Sequence, residues 1–306
     1  MASVDFALAH CTLKPHRSMV LSIAAHPFLP IVAIGTHKGH VVVWDTTTGL
    51  LIRCLRGHTE GVWSLAFDPQ GHRLASGSAD CVSRIWDLAS GICLHACTGH
   101  SREVFGVAWD ATSSLVASAS NDNSIQIWNA HSGTLHHRLE GHSNTIQALA
   151  AHPTDGLFAS GSEDKTVRVW RWQSDALVRT LVGHTGAVES LAASAEWLVS
   201  GSIDRTVRVW SWATGACVRV LNDFRGRLWG KSVEWRDTTL ITTDAMVWNG
   251  KGTVRVWDTS PADVFRWSCV KTSATDMYVR YGMALLEDGS LACVAPRHRG
   301  SIAVWR

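Results

Sequence analysis

A tryptophan closes a short run of β-branched and apolar residues at seven regularly spaced places in this chain. The seven positions are Trp44, Trp86, Trp128, Trp170, Trp210, Trp257 and Trp305, with successive spacings of 42, 42, 42, 40, 47 and 48 residues. A period of roughly 40–45 residues is typical of a repeat whose unit, a four-stranded sheet, must stack on its neighbours to bury its faces. The period therefore predicts seven stacked units in the 306 residues, although length alone suggests about two domains.

The second unit, from Gly57 to His100, shows the local structure most clearly. Apolar and small residues alternate in short runs, and turn signals such as Asp-Pro-Gln-Gly and Ala-Asp separate these runs. The pattern predicts four strands, over residues 62–67, 73–78, 81–86 and 91–97. Because tight turns join them, each unit is predicted to be an antiparallel meander, and the fold class is predicted to be all-β.

Charge and cysteine usage narrow the class of protein. The chain has 28 basic and 26 acidic residues, so its formal net charge of +2 attracts polyanions weakly and we expect no direct nucleic-acid partner. The N-terminus lacks an apolar signal segment and no run of 18 apolar residues occurs, so neither secretion nor a membrane span is expected. The eight cysteines form no scaffold pattern, which predicts free thiols in an intracellular protein, cytoplasmic or nuclear.

The ends of the units repeat the same residues. Gly-His opens units two to five at Gly57, Gly99, Gly141 and Gly183, and Trp-Asp closes several units. The distance from this His to the closing Trp is 28 residues in units two to four and 26 in unit five, and His16 lies 28 residues before Trp44. In these motifs the chain resembles the WD-repeat family.

The resemblance implies a seven-bladed β-propeller of four-stranded antiparallel blades that forms a single domain over residues 1–306. A ring of blades must hide the strand edges where it begins and ends. The chain stops after the third strand of the seventh unit, and residues 6–13 lie in the register of a fourth strand just before His16. We therefore expect the N-terminal strand to complete blade seven by pairing with residues 301–305.

Units two to five each contain a His, two Ser and an Asp that together resemble a catalytic triad. An enzyme needs one such site, whereas four copies favour a buried hydrogen-bond network in which Asp orients His, a Ser hydroxyl bridges and the indole N–H is satisfied. The resemblance implies the same role, that of the family's structural tetrad. The predicted tetrads contain His58, Asp80 and Trp86, then His100, Asp122 and Trp128, then His142, Asp164 and Trp170, then His184, Asp204 and Trp210. In each tetrad either of two Ser residues is a candidate, for example Ser76 or Ser78 in unit two.

The other three units depart from this pattern. Lys38, Lys251 and Arg299 stand where units one, six and seven should have the Asp, and Phe224 and Thr275 stand where units six and seven should have the His. These blades are expected to lack the full network and to open more easily.

Motifs for other chemistry are missing from the sequence. It has no phosphate-binding GxxxxGK[ST] loop, no HExxH metal motif and no GxSxG nucleophile elbow. Neither the isolated Cys93 and Cys97 nor the His residues at 131, 136 and 137 have convincing metal-ligand spacing. We therefore predict no catalytic residue, no metal and no cofactor.

Function is then expected on the surface of the ring. The resemblance implies binding of proteins or peptides on the face that carries the start of each first strand. Trp, Tyr and Arg at such positions commonly dominate interface energetics. The predicted protein-binding residues are Met19, Leu21, Trp63, Glu103, Phe105, Arg227, Trp229, Tyr278, Arg280 and His298. The competing interpretation is that some of these aromatic residues only fill the central channel.

The sequence thus predicts a non-catalytic interaction scaffold or adaptor subunit, with a propeller that is monomeric within a larger assembly. An alternative is a recognition module in which paired Arg residues capture acidic or phosphorylated peptides. A further alternative from another class is an enzyme with a single site in units six and seven, where the spacing lengthens after Trp210.

Overall fold

The fold is seen in a computed structural model, which describes residues 11–13, 18–222, 224, 228, 232–245, 252–259, 268–275, 283–286, 291–295 and 301–305. The regular secondary structure within these ranges consists of β-strands, which we number β1 to β28 along the chain.

The strands form four-stranded antiparallel sheets, six of which are built from consecutive strands. We call each sheet a blade and number blades one to six in chain order. Blade one contains β2 (Val20–Ala25), β3 (Ile31–Thr36), β4 (Val41–Asp45) and β5 (Leu51–Leu55). Blade two contains β6 (Val62–Phe67), β7 (Arg73–Ser78), β8 (Val82–Asp87) and β9 (Cys93–Thr98). Blade three contains β10 (Val104–Trp109), β11 (Leu115–Ser120), β12 (Ile125–Asn129) and β13 (Leu135–Leu139).

Blades four to six continue the same order. Blade four contains β14 (Ile146–Ala151), β15 (Leu157–Ser162), β16 (Val167–Arg171) and β17 (Leu177–Leu181). Blade five contains β18 (Val188–Ala193), β19 (Trp197–Ser202), β20 (Val207–Ser211) and β21 (Cys217–Leu221). Blade six contains β22 (Val233–Arg236), β23 (Thr239–Ala245), β24 (Gly252–Asp258) and β25 (Ser268–Thr275).

The remaining sheet joins the two ends of the chain. It contains β26 (Met283–Leu285), β27 (Leu291–Ala295) and β28 (Ser301–Trp305), with β1 (Cys11–Leu13) as its outer strand. We call this sheet the last blade. Cys11 pairs with Val304 and Leu13 with Ile302 in antiparallel register. The described part of the predicted N-terminal strand therefore lies beside residues 301–305, and residues 6–10 lie outside the described ranges.

The first strand of each blade is its innermost strand, and these strands follow one another around a central axis. The innermost strands of blades one to six are β2, β6, β10, β14, β18 and β22. Each of them contacts the innermost strand of the next blade, and β26 of the last blade contacts both β22 and β2. The chain is thus an all-β propeller of four-stranded antiparallel blades, and this part of the expectation is confirmed. In blade two the first two strands have the predicted bounds, and the other two begin one or two residues later than predicted.

The core lies between neighbouring blades. Val41, Val43 and Leu55 of blade one pack with Val62 and Trp86 of blade two in one buried cluster. Val62 is fully buried, and such burial of an aliphatic side chain contributes about 1.5–3 kcal/mol. The blades approach closely, since a Cβ added at Gly77 would lie 2.7 Å from Cγ1 of Val104 in the next blade. Neither face of a blade could be buried without its neighbour, as the repeat period indicated.

The turn between the second and third strands has a fixed conformation. The residue after the tetrad Asp has a positive φ, 67° at Cys81, and the equivalent Asn123, Lys165 and Arg205 share this left-handed conformation. In blade one the position is taken by Gly39, with φ of 78°. Only glycine adopts this region without a steric cost, so the turns of blades two to five tolerate some backbone strain. The Asp carboxylate compensates by accepting hydrogen bonds from the turn, for example from the Val82 N–H to Asp80 Oδ1 at 3.0 Å.

Candidate functional site

The structure brings His58, Ser76, Asp80 and Trp86 together in blade two. Trp86 Nε1 donates to Ser76 Oγ at 2.8 Å, Ser76 Oγ lies 2.7 Å from His58 Nε2, and His58 Nδ1 lies 2.8 Å from Asp80 Oδ2. Because the hydroxyl accepts from the indole, its own proton is free to be donated to Nε2. The remaining imidazole proton then lies on Nδ1 and is donated to the carboxylate. Every polar group of the tetrad is satisfied by this arrangement.

The same geometry recurs in blades three, four and five. The Trp–Ser distances are 2.8–2.9 Å, the Ser–His distances 2.7–2.8 Å and the His–Asp distances 2.7–2.9 Å. The bridging residue is the first Ser of each pair, namely Ser76, Ser118, Ser160 and Ser200. The second Ser lies at the turn, where Ser78 Oγ donates to Glu60 O and accepts from the Asp80 N–H.

Burial and charge explain what this network does. Its four Ser residues have 0 % exposure, so no substrate reaches their oxygens and a nucleophilic role at these positions is disfavoured. Burial alone would raise the pKa of Asp164, but hydrogen bonds from His142 and Thr166 outweigh it and hold this pKa well below its usual range. The pKa of His142 is lowered, mainly by burial. In blade four the network therefore holds the neutral imidazole of His142 against the carboxylate of Asp164, and it joins the turn that carries Asp164 to the second and third strands, which carry Ser160 and Trp170.

Blade six contains a rearranged version of the network that sequence analysis missed. Trp257 Nε1 donates to Thr242 Oγ1 at 2.9 Å, and Phe224 occupies the place of the His and is 5 % exposed. The Arg255 guanidinium lies 4.6 Å from the Phe224 ring centroid and 3.6 Å from Asp244 Oδ2. Asp244 also accepts the Thr253 N–H at 2.9 Å, as Asp204 accepts the Thr206 N–H in blade five.

The sequence assigned the Asp position of this blade to Lys251, which lies outside the described residues. The carboxylate that accepts the N–H at the start of the third strand is instead Asp244, two residues after Thr242. In blade five the corresponding distance, from Ser200 to Asp204, is four residues. The sequence feature that could have revealed the rearranged network is an Asp closer to the bridging hydroxyl, combined with an aromatic residue in the His position. The His is absent from this arrangement, so the expectation of an incomplete network still fits blade six.

Blade one also departs from the tetrad. Ile34 takes the place of the bridging Ser, because Ile34 pairs with Val42 as Ser76 pairs with Arg84. The Trp44 indole N–H is buried and has no hydrogen-bond partner within the described ranges. Lys38 lies in the turn at the Asp position, and His16 and Arg299 belong to the part of the chain that is not described. Thr275 is the last residue of β25 in blade six, where it pairs with Gly252.

The predicted binding residues differ in how far their side chains are exposed. Met19 is 43 % exposed at the start of β2, whereas Leu21 is only 3 % exposed. Leu21 is covered by the next blade, since a Cβ added at Gly61 would lie 2.8 Å from Leu21 Cδ1. Leu21 therefore packs beneath the surface, so the expectation that its side chain is exposed was wrong, and its role in binding stays a prediction.

Trp63 and Phe105 lie together on neighbouring inner strands. Their ring centroids are 5.7 Å apart and the planes are tilted by 59°, a favourable geometry for aromatic side chains. Both are half-buried, and both line a central cavity of about 620 Å³. They therefore partly fill the channel and partly present ring surface to solvent.

Polar residues of blades three and four continue this rim. Glu103 Oε2 accepts from Asn121 Nδ2 at 2.9 Å, and Asn121 Oδ1 accepts from Thr145 Oγ1 of blade four at 2.7 Å. The hydrogen bond from Asn121 lowers the pKa of Glu103. The remaining predicted binding residues, Arg227, Trp229, Tyr278, Arg280 and His298, lie outside the described ranges.

The described residues contain no helix that is long and apolar enough to cross a bilayer. Nor does any group of three or more His, Cys, Asp or Glu side chains in these ranges have an arrangement suited to a metal ion.

Comparison with known proteins agrees with the repeat pattern. A family model described as "WD domain, G-beta repeat" matches residues 9–45, 49–87, 91–129, 133–171 and 175–211, which together cover more than half of the chain. Human striatin is 44 % identical over 59 residues, which are 19 % of this chain and 8 % of striatin. Rat striatin-3 is 39 % identical over 59 residues, 19 % of this chain and 7 % of that protein. A lissencephaly-1 homolog from Monosiga brevicollis is 34 % identical over 59 residues, 19 % of this chain and 14 % of that protein. The matched segment thus spans a small fraction of each relative's length.

Proposed function

Because this chain belongs to the WD domain, G-beta repeat family, we propose that it is a non-catalytic interaction scaffold or adaptor subunit. It binds a partner protein or peptide on the face of the propeller where the innermost strands begin. The observation that carries the proposal is the aromatic pair of Trp63 and Phe105 at the cavity rim, together with the exposed Met19 at the start of β2 in the neighbouring blade. Rigid aromatic side chains that keep part of their surface exposed are effective anchors for a partner.

The proposed surface continues beyond the described residues. Arg227, Trp229, Tyr278 and Arg280 hold sequence positions equivalent to those of Met19, Trp63, Glu103 and Phe105, and His298 is equivalent to Asn121 of unit three. We propose that they complete the binding face in the sixth and last blades. The ring is proposed to have seven blades in a single domain over residues 1–306, with the N-terminal strand closing it. The pairing of β1 with β28 and the contacts of β26 with β22 and β2 support this proposal.

The described cysteines support an intracellular location, cytoplasmic or nuclear. Six of them, Cys54, Cys81, Cys93, Cys97, Cys217 and Cys269, are free thiols. Burial raises the pKa of the Cys97 thiol to about 12, so this group is protonated and packs as a small apolar side chain. We propose that the protein works as a monomeric propeller within a larger assembly.

Affinity purification followed by mass spectrometry tests the function. The binding variant carries Trp63→Ala and Phe105→Ala, and the matched control carries Phe28→Ala and Ile92→Ala. Phe28 and Ile92 are large apolar residues that are 58 % and 61 % exposed in turns at the other end of the strands. The wild type and the control should return the same stoichiometric partners, and the binding variant should bind the principal partner at least about tenfold more weakly.

The binding result is meaningful only if both variants are folded, which circular dichroism and the melting temperature check. A folded binding variant that keeps the full affinity would rule out the described rim as the docking surface. In that case Trp229→Ala combined with Tyr278→Ala tests the remaining part of the proposed face. A preference for phosphorylated over unphosphorylated partner peptide that is lost in Arg227→Ala with Arg280→Ala would support the alternative of phosphopeptide recognition.

A further inference from the structure

One position on the opposite face of the ring connects neighbouring blades. It is the residue at the end of each innermost strand, where the chain enters the turn to the second strand, and we call it the turn-entry position. In blades one to five the backbone N–H at this position donates across the turn, as from His26 to Ile31 O and from Asp68 to Arg73 O. The turn-entry residues of blades one to six are His26, Asp68, Asp110, His152, Ser194 and Arg236.

In blades one, two and four the side chain at this position links the blade to the next one, whereas Asp110 and Ser194 bond within their own turns. His26 Nε2 lies 2.9 Å from Gly71 O of blade two, and His152 Nε2 lies 2.9 Å from Ala195 O of blade five. His26 Nδ1 accepts the backbone N–H groups of Phe28 and Leu29, so the imidazole proton lies on Nε2 and is donated to the next blade. In blade two the link is indirect, since Asp68 holds Arg73, whose guanidinium donates to the carbonyl groups of Ser113 and Ala130 in blade three.

The last blade cannot form this link by itself. Its turn-entry residue is Leu286, which is 2 % exposed and packs with Val20 and Ile23 of blade one. A leucine side chain has no hydrogen-bond donor, so a polar connection between the last blade and blade one has to involve another residue.

Arg236 of blade six supplies it. Its Nη1 donates to Leu285 O of the last blade at 3.0 Å, and its Nη2 donates to Pro27 O of blade one at 2.9 Å. The residue is half-buried, and Pro27 follows Arg236 around the ring by two blades although the two lie 209 positions apart in sequence. A planar guanidinium can hold two carbonyl groups at a fixed separation, which a single hydrogen-bond donor cannot do.

We propose that Arg236 is the clasp of the ring: one guanidinium joins blade six, the last blade and blade one, and it replaces the link that Leu286 cannot form. Blades one and six, which it joins, lack the complete tetrad, and the sequence predicts the same for the last blade, so this part of the ring depends on Arg236 more than blades two to five depend on any one side chain. Arg236 thereby keeps the ring closed where the two ends of the chain meet. The inference does not depend on which partner the protein binds.

Hydrogen exchange of the full chain, read strand by strand, tests the clasp. The variants are Arg236→Ala and Arg236→Lys, and the control is Arg179→Ala. Arg179 also donates to two backbone carbonyl groups, those of Trp212 at 3.3 Å and Ala213 at 2.7 Å, but it joins blades four and five. The control therefore removes the same chemistry from a part of the ring where the tetrads are complete.

In Arg236→Ala we expect exchange in β2, β3, β26 and β27 to rise about tenfold, with β10 to β17 unchanged. Arg236→Lys keeps the charge but not the planar fork and should give a smaller rise in the same strands. Arg179→Ala should leave β2 and β26 unchanged. Wild-type exchange in β2 and β26 of Arg236→Ala, or a rise spread evenly around the ring, overturns the proposal. If Arg236→Ala does not accumulate as folded protein, Arg236→Lys replaces it in the test, and wild-type exchange in its β2 and β26 likewise overturns the proposal.

Discussion

At the scale of single residues, the tetrads show why a repeated motif leaves part of its geometry open. Ser76 and Ser78 lie two residues apart on one strand, so their side chains point to the same face of the sheet. The sequence alone therefore cannot distinguish which of them belongs to the tetrad. Ser76 lies opposite the third strand near Trp86 and reaches both the indole and His58, whereas Ser78 lies at the turn and holds Glu60 O. The two Ser residues differ in their distance from His58 and Trp86, and this distance is fixed only when the strands of the blade are packed together.

Replacing the tetrad carboxylate should weaken the fold measurably. Asp164→Asn removes the charge that pairs with His142 at 2.7 Å, and we expect the free energy of unfolding to fall by about 2 kcal/mol. Chemical denaturation monitored by tryptophan fluorescence measures this change. The control is Asp175→Asn, whose side chain is 74 % exposed and which should have little effect. Equal stability of the two variants would mean that the network contributes nothing to folding.

Exposure of single side chains was the least predictable feature. Leu21 and Trp63 hold equivalent places on β2 and β6, yet Leu21 is buried and Trp63 keeps part of its ring exposed. Leu21 is covered by the backbone at Gly61, a residue of the neighbouring unit. Because the covering atoms come from another repeat, the periodicity of one strand could not reveal this burial.

At the scale of elements, alternation of apolar residues and turn chemistry predicted the strands well. The first two strands of blade two have the predicted bounds because Asp-Pro-Gln-Gly ends the first one clearly and Ala-Asp ends the second. Blade six was harder to predict, since its second strand continues through Asp244 to Ala245, which pairs with Gly252 of the third strand. The Asp of blade six therefore lies closer to the bridging hydroxyl than in blades two to five. For this reason the residue spacing of the other units wrongly assigned the Asp position to Lys251.

The pairing of β1 with β28 leads to a prediction for the N-terminal strand. Removing residues 1–13 takes away the outer partner of β28, including the pairs of Cys11 with Val304 and Leu13 with Ile302. We expect the melting temperature to fall by about 5 °C or more, because β28 is left with an open edge. Removal of residues 1–5 alone serves as the control and should leave the melting temperature nearly unchanged. A truncation at residue 13 that melts like the full chain would show that β1 does not fasten the last blade.

At the scale of the whole molecule, the ring divides into two regions of different construction. Blades two to five share complete tetrads, whereas blade six uses Thr242, Asp244, Arg255 and Phe224, and blade one has Ile34 at the bridging position. The substitutions at Lys38 and Phe224 indicated this division from the sequence. What compensates for it, above all Arg236 between three blades, could not be inferred, since its partners lie far apart in sequence.

The tetrads also predict how the whole molecule responds to acid. In the fold the pKa of His142 lies below its ordinary 6.5, so the unfolded chain takes up its proton first and stability begins to fall below about pH 6.5. The pKa values of Asp80, Asp122, Asp164 and Asp204 lie below their ordinary 3.8, so a steeper loss follows below about pH 4. Chemical denaturation at a series of pH values measures both steps. Asp164→Asn should reduce the steepness of the second step, and a stability independent of pH between 7 and 3 would contradict the argument.

The sequence by itself determined the repeat, the four-stranded antiparallel unit and the His, Asp and Trp of the complete tetrads, because each depends on spacing within one unit of about 42 residues. The tertiary structure decided which Ser bridges, that Leu21 is covered, that Trp63 meets Phe105 and that Arg236 spans three blades. Most of these features are contacts between units, and the bridging Ser is fixed by position within a packed blade. A period along the chain reports what each unit contains, whereas burial and hydrogen bonding between units arise only when the ring brings distant residues within a few ångströms of each other.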